Sequence, residues 1–251
     1  MKRFFLLFWL FFSLHTCIAQ SRNTEAASRW ADSVYNSLSE DERIAQLMII
    51  RLSTYDAKSK QITYLFEQAE NLVKKYNVGG VCVFQGHPVI LTNQLNQIQK
   101  IAKTPLLVSI DGEWGVSMRL YNQVLPLPRQ MMLGALSDSS IIYRYGTLVA
   151  EQCKRMGIHM NYAPVVDVNN NPANPVINDR SFGENKETVA SFGIQYMKGL
   201  QDHGVMACAK HFPGHGDVSV DSHLDLPIIE KSMAQLDSLE LYPFKKLIQA
   251  G

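Results

Sequence analysis

The chain has 251 residues, 46% of them hydrophobic and 10% aromatic, and its 24 Lys and Arg nearly balance its 23 Asp and Glu. A net charge of +1 leaves no electrostatic footprint for nucleic acid or an anionic lipid surface. The length is ample for one sizeable core.

The N-terminus, MKRFFLLFWLFFSLHTCIAQ, places Lys2 and Arg3 before an apolar run from Phe4 to Phe12 and a polar stretch ending at Ala19. That order predicts a signal peptide over residues 1–19, with a run too short to span a bilayer. The expected location is therefore secreted or periplasmic. Thr16 and His15 make Cys17 a poor lipoprotein site. Removing Lys2 and Arg3 leaves a net charge of about −1 on the mature chain. Cys82, Cys153 and Cys208 remain, without a CxxC spacing. They read as buried thiols, although export would allow a pair to oxidise.

Residues 20–37 form a polar lead, and the folded domain is expected over residues 38–251. Ser39 is a candidate N-cap with acids in the first turn that follows. The apolar run Leu47 to Ile50 is the first strand candidate. Ile62, Leu65, Phe66, Ala69 and Leu72 carry helical spacing, closing at Gly79 and Gly80. VGGVCVF reads as a short buried strand and LTNQLNQIQKIAK as a helix. PLLVSID is the third strand, ending at Asp111. A long helix, SSIIYRYGTLVAEQCKRMG, precedes a fourth strand in HMNYAPVVDV. The helix TVASFGIQYMKGLQDHG precedes the fifth strand, VMACAKHF, and one helix follows Ser232.

Short strands alternating with helices predict an α/β fold of parallel βα units. No Gly-x-Gly-x-x-Gly follows the first strand, which argues against a dinucleotide-binding sheet. Polar residues sit instead just past several strands: Asp111, Asp167, and the pair Lys210 and His211. A (β/α)8 TIM-like barrel places its site on that face. About five of its eight strands are present, so the barrel is expected to be incomplete at the C-terminus, with an unpaired edge.

Three of the seven histidines fall in KHFPGHGDVSVDSH, from Lys210 to His223. Gly214 and Gly216 let that loop turn sharply and approach a ligand. Asp221 and His223 are two apart, so extended backbone puts both side chains on one side. A carboxylate beside an imidazole fixes its tautomer and raises its proton affinity, which suits a catalytic acid and base. The competing readings are a loop stapled by its own hydrogen bonds, and a metal set drawn from His211, His215, Asp217 and His223.

The segment KHFPGHGDVSVDSHLDLP resembles the loop signature of family 3 glycoside hydrolases in the NagZ-like β-N-acetylglucosaminidase branch. LSEDERIAQLMIIR, VSIDGEWG and NYAPVVDVNNNPANPVINDRSFG resemble, in order, its opening helix and strand, its sugar-binding strand end, and its middle strand with an Arg loop. The resemblance implies a (β/α)8-like barrel, a retaining glycosidase, a carbohydrate substrate ending in N-acetylglucosamine, and no cofactor or metal. His223 would be the acid/base and Asp221 its partner, where most retaining enzymes use two carboxyl groups about 5–5.5 Å apart. Asp111, Arg180, Lys210 and His211 would bind sugar hydroxyls. From the sequence alone, Asp111 could equally cap a turn, and Arg180 could pair with Asp179 or Glu184.

Asp167 is expected to support these residues from behind, with His215, Asp217, Tyr162 and the prolines at 172 and 175 shaping loops. Trp114 stands where the family more usually has glycine, and packing at the barrel mouth is the expectation for it. The family's nucleophile is an aspartate on a later strand, which implies that the chain as given lacks it. Branches acting on glucosides lack the Asp-x-His loop. A metal-dependent hydrolase and a non-catalytic sugar-binding module are the alternatives.

Overall fold

A computed structural model describes residues 25–120, 122–221 and 226–251. The signal-peptide stretch and His223 lie outside the described residues. After a helix over 25–37 (α1), Ser39 accepts from the Glu42 backbone N–H while Glu42 returns a bond to the Ser39 N–H. This capping box opens α2 (Glu40–Ala45). Strand β1 (Ile49–Arg51) follows.

Helical spacing was expected to take in Ile62, and here the structure differs. Ser53–Asp56 (β2) and Gln61–Tyr64 (β3) form an antiparallel hairpin in which Ile62 faces Tyr55. The Asp56 carboxylate accepts from the backbone N–H groups of Lys58 and Ser59, and Lys60 adopts a φ of 56°. That turn chemistry, with β-branched Ile62 and Thr63, outweighs the helical spacing. Helix α3 (Phe66–Tyr76) begins only after Leu65 and ends on left-handed Asn77.

The remaining units follow the expected alternation: β4 (Gly80–Val83), α4 (Pro88–Ile101), β5 (Leu107–Ile110), α5 (Gln130–Gly134) and α6 (Ser140–Arg155). Then come β6 (Met160–Asn161), α7 (Lys186–Gln201) and β7 (Met206–Ala207). The last two strands are shorter than expected. Beyond Asn161 the chain runs extended through Pro164, which has no N–H for a ladder, and meets its neighbour at a single bridge, Val165 with Lys210. The one helix expected after Ser232 is two, α8 (Met233–Ser238) and α9 (Leu241–Ala250). Pro243 lies in the first turn of α9, where its missing N–H costs nothing.

Five parallel strands pair in the order β1, β4, β5, β6, β7, and among the described residues they do not close into a barrel. Val81, Val83, Val108 and Ile110 are fully buried between the sheet and its helices. Ile49 on β1 and Met206 on β7, the two outer strands, stay half exposed. Helices α6 and α7 cross closely because a Cβ on Gly146 would stand 2.6 Å from the Tyr196 carbonyl oxygen. No helix among the described residues is long and apolar enough to cross a membrane.

Candidate active site

Parallel strands deliver their C-terminal residues to one rim, and here that rim is polar. Beyond β5, the Asn161 side chain exchanges two hydrogen bonds with the Gly112 backbone, at 3.0 and 2.9 Å. A tight turn follows, closed by the Gly115 N–H on the Gly112 carbonyl, with Gly115 at a φ of 84°. This geometry aims Asp111 and Glu113 at the end of β7.

Lys210 meets both carboxylates, at 2.5 Å from Asp111 Oδ1 and 2.8 Å from Glu113 Oε1. Arg119 holds the other oxygen of Asp111 at 2.5 Å and its backbone carbonyl at 2.8 Å. Arg180 grips Glu113 through Nη2 at 2.6 Å and Nε at 2.9 Å, a bidentate fork. The same guanidinium lies 3.0 Å from His211 Nε2. Because Arg has no acceptor, Nε2 must accept, so the ring proton sits on Nδ1 and is donated to Asp167 Oδ2 at 2.6 Å. Asp167 also accepts from the backbone N–H groups of His211 and His215. Three cations, three carboxylates and one neutral imidazole thus form a continuous chain.

Glu113 is 1% exposed and is the hub of this chain. Burial alone would push its carboxyl up, but the Arg180 hydrogen bonds and the Lys210 and Arg180 charges outweigh that and hold it at about 2. Asp111, Lys210, Arg180 and His211 keep part of their surface exposed at the rim, with side-chain exposures of 13–31%. Lys210 and Arg119 retain N–H groups beyond those used inside the chain, and Asp111 retains lone pairs. Fixed donors and acceptors of that kind suit a ligand carrying several hydroxyls.

The four residues expected to bind sugar, Asp111, Arg180, Lys210 and His211, therefore come together. Arg180 turns inward to Glu113; Asp179 is taken by Arg129 instead, at 2.8 Å to each carboxylate oxygen. Asp167 supports His211 as expected. Asp221 ends the described part of its loop, and His223 lies outside the described residues. Trp114 packs beneath Arg129, whose guanidinium carbon is 4.4 Å from the ring centroid. Tyr162 reaches back to Ser109, at 3.1 Å. The proline-flanked loop is tied across, Asn171 to the Asp217 carbonyl at 3.0 Å and Asn174 to the His215 carbonyl at 2.7 Å.

Glu113 and Arg119 were missed by sequence reasoning. The two-residue alternation applied to Asp221 and His223 would have flagged Asp111 and Glu113 as well. As for a metal set, both ring nitrogens of His211 are engaged and Asp217 pairs with Lys231. Among the described residues no group of three His, Cys, Asp or Glu is placed to hold a metal ion.

Residues 39–251 match the glycosyl hydrolase family 3 N-terminal domain. The chain belongs to glycoside hydrolase family 3. Within the family it is similar to beta-hexosaminidase A of Pseudoalteromonas piscicida, 32% identical over 85% of this chain and 39% of the relative. A second relative, the beta-hexosaminidase of Thiobacillus denitrificans, is also 32% identical, over 69% of this chain and 51% of its own. The chain thus spans 39% and 51% of the length of these two curated relatives.

Among solved structures, a family 3 beta-N-acetylglucosaminidase from Paenibacillus sp. FPU-7 superposes with a TM-score of 0.77 at 37% identity, covering 86% of this chain and 41% of that one. NagZ from Neisseria gonorrhoeae, solved with N-trifluoroacetyl-D-glucosamine, gives 0.69 at 27% identity, over 81% and 60%.

Proposed function

We propose that the protein is an exported, retaining β-N-acetylhexosaminidase that releases terminal β-linked N-acetylglucosamine from glycans or peptidoglycan fragments. The observation that carries this reading is the state of the carboxylates. Each one in the strand-end floor is tied to a cation or to backbone N–H groups, and Glu113, held near 2, cannot give up a proton at neutral pH. The floor can bind and orient a sugar, while proton transfer falls to another group. Asp221 and His223 supply the chemistry for that transfer.

In the first displacement a carboxylate attacks the anomeric carbon, the glycosidic C–O bond breaks, and His223 gives its proton to the departing oxygen. Water then attacks the glycosyl ester and gives its proton to His223; the C–O bond to the carboxylate breaks and frees it. The resemblance to the family implies that the nucleophile is an aspartate on a later strand; Asp111, Glu113 and Asp167 are engaged in the floor. The names of the relatives support the choice of sugar.

The test is turnover of an N-acetylglucosaminide with an unactivated aglycone by the full-length protein. Asp221→Asn and His223→Gln are each expected to lower kcat by about 10²–10⁴-fold. Undiminished release of N-acetylglucosamine by either variant overturns the assignment. Binding of the sugar without any turnover by the wild-type protein would favour a binding module instead.

A further inference from the structure

The turn that carries Asp111 and Glu113 is held through its backbone by side chains from three other elements. Asn161, at the end of β6, stands in register with Ile110, the last residue of β5. Its amide accepts from the Gly112 N–H at 3.0 Å and donates to the Gly112 carbonyl at 2.9 Å. The Tyr196 hydroxyl, from α7, donates to the Glu113 carbonyl at 3.0 Å. At the far end, Gln152 of α6 accepts from the Val116 N–H at 3.1 Å. Asn161 and Tyr196 are 0% exposed, so neither side chain meets a ligand at the rim.

Electrostatics gives this turn a reason to be clamped. Asp111 and Glu113 each bring an oxygen to the Lys210 ammonium, at 2.5 and 2.8 Å, and two carboxylates converging on one cation repel each other. Their surroundings differ. Glu113 is 1% exposed, whereas the Asp111 side chain is 28% exposed and keeps lone pairs for a ligand. A free turn would relieve the repulsion by swinging the exposed member, Asp111, outward. Fixing the peptide units between the two carboxylates denies that escape. An amide suits the task because it carries a donor and an acceptor side by side, matching the N–H and C=O of Gly112.

We infer that Asn161 and Tyr196 are positioning residues that set where Asp111 meets a sugar hydroxyl. The inference rests on the glycosidase reading above and deepens it. Their effect passes through the backbone of Gly112 and Glu113, and a bound sugar misplaced by about 1 Å reacts far more slowly.

The experiment measures kcat/KM in the full-length protein on an N-acetylglucosaminide and on its monodeoxy analogues. The analogue on which Asp111→Asn costs least marks the hydroxyl that Asp111 holds. Asn161→Ala removes both hydrogen bonds to Gly112. Tyr196→Phe removes only the hydroxyl and keeps the edge contact with Tyr145, at 5.2 Å between ring centroids. Each variant is expected to lower kcat/KM on the parent sugar by about 10–100-fold, and on the marked analogue by no more than about threefold. Tyr196→Phe keeps the test decisive should Asn161→Ala fail to fold.

Equal losses on the parent sugar and on every analogue would mean a merely structural role and overturn the inference, as would wild-type rates in Tyr196→Phe. A wild-type protein inactive on the parent glycoside would instead sink the glycosidase reading itself.

Discussion

The floor of the site and the loop beside it are adjacent in the chain and built on opposite plans. In the floor, Asp111, Glu113 and Asp167 are each satisfied several times over, by Arg119, Lys210, Arg180, His211 and backbone N–H groups. In the loop, residues 214–217 are held largely through the backbone, the His215 N–H to Asp167 and the Asp217 carbonyl to Asn171. Groups that bind a ligand gain from preorganisation; a group that hands a proton on and takes one back must hold a position relative to two successive partners. The contrast places rigidity in the floor; in the proposed reading the loop bearing Asp221 and His223 carries the proton.

The largest expected effect tests the floor. Glu113→Ala leaves the Arg180 guanidinium without its fork and removes one of the two carboxylates that Lys210 meets, in a site where the lost side chain is 1% exposed. Breaking a buried ion pair by removing one partner costs about 3–5 kcal/mol. Urea unfolding should show that loss with an unchanged m-value. A loss below about 1 kcal/mol would mean that the floor is not the rigid half of the pair.

Acid should act on the same residue. The folded protein holds the Glu113 carboxyl at about 2, below its ordinary 4.5. A depressed carboxyl stabilises the fold fully above the unfolded value, and that contribution is lost as pH falls from 4.5 towards 2. The amount at stake is about 3 kcal/mol. Stability measured across this window should fall less steeply in Glu113→Gln than in the wild type. Parallel curves would place the acid sensitivity elsewhere, in the loop carboxylates for instance.

Much of the fold was legible in the sequence because parallel strands are buried on both faces and read as short apolar runs, as in GVCV and LVSI. The hairpin over 53–64 was not. Ile62 and Leu65 fit a helical stripe, and the turn chemistry at Asp56 and Lys60 carries weight only once the two short strands are known to pair. The truncated ladders of β6 and β7 were hidden for a similar reason: YAPVV reads as a strand, and Pro164 removes the donor that would continue one. In the site, Asp111, Lys210, His211 and Arg180 were readable from motif and strand end. Glu113 and Arg119 were not, because their importance lies in whom they meet across up to about a hundred residues of chain, and a single sequence does not display partners.

The smallest expected effect sharpens where the floor ends. Arg129 stacks on Trp114 and binds Asp179, the neighbour of Arg180, so it could be the outermost link of the buried chain. Its exposure argues otherwise: the Arg129 and Asp179 side chains are 50% and 53% exposed, and ion pairs in that setting contribute about 0.2–1 kcal/mol. The stack over Trp114 adds about 0.5–1 kcal/mol at an exposed site. Arg129→Ala should therefore cost little over 1 kcal/mol in urea unfolding and leave kcat/KM nearly unchanged. A loss near that of Glu113→Ala would show instead that Asp179 needs Arg129 to keep Arg180 turned inward, and the boundary between rigid floor and solvated rim would have to be redrawn outside Trp114.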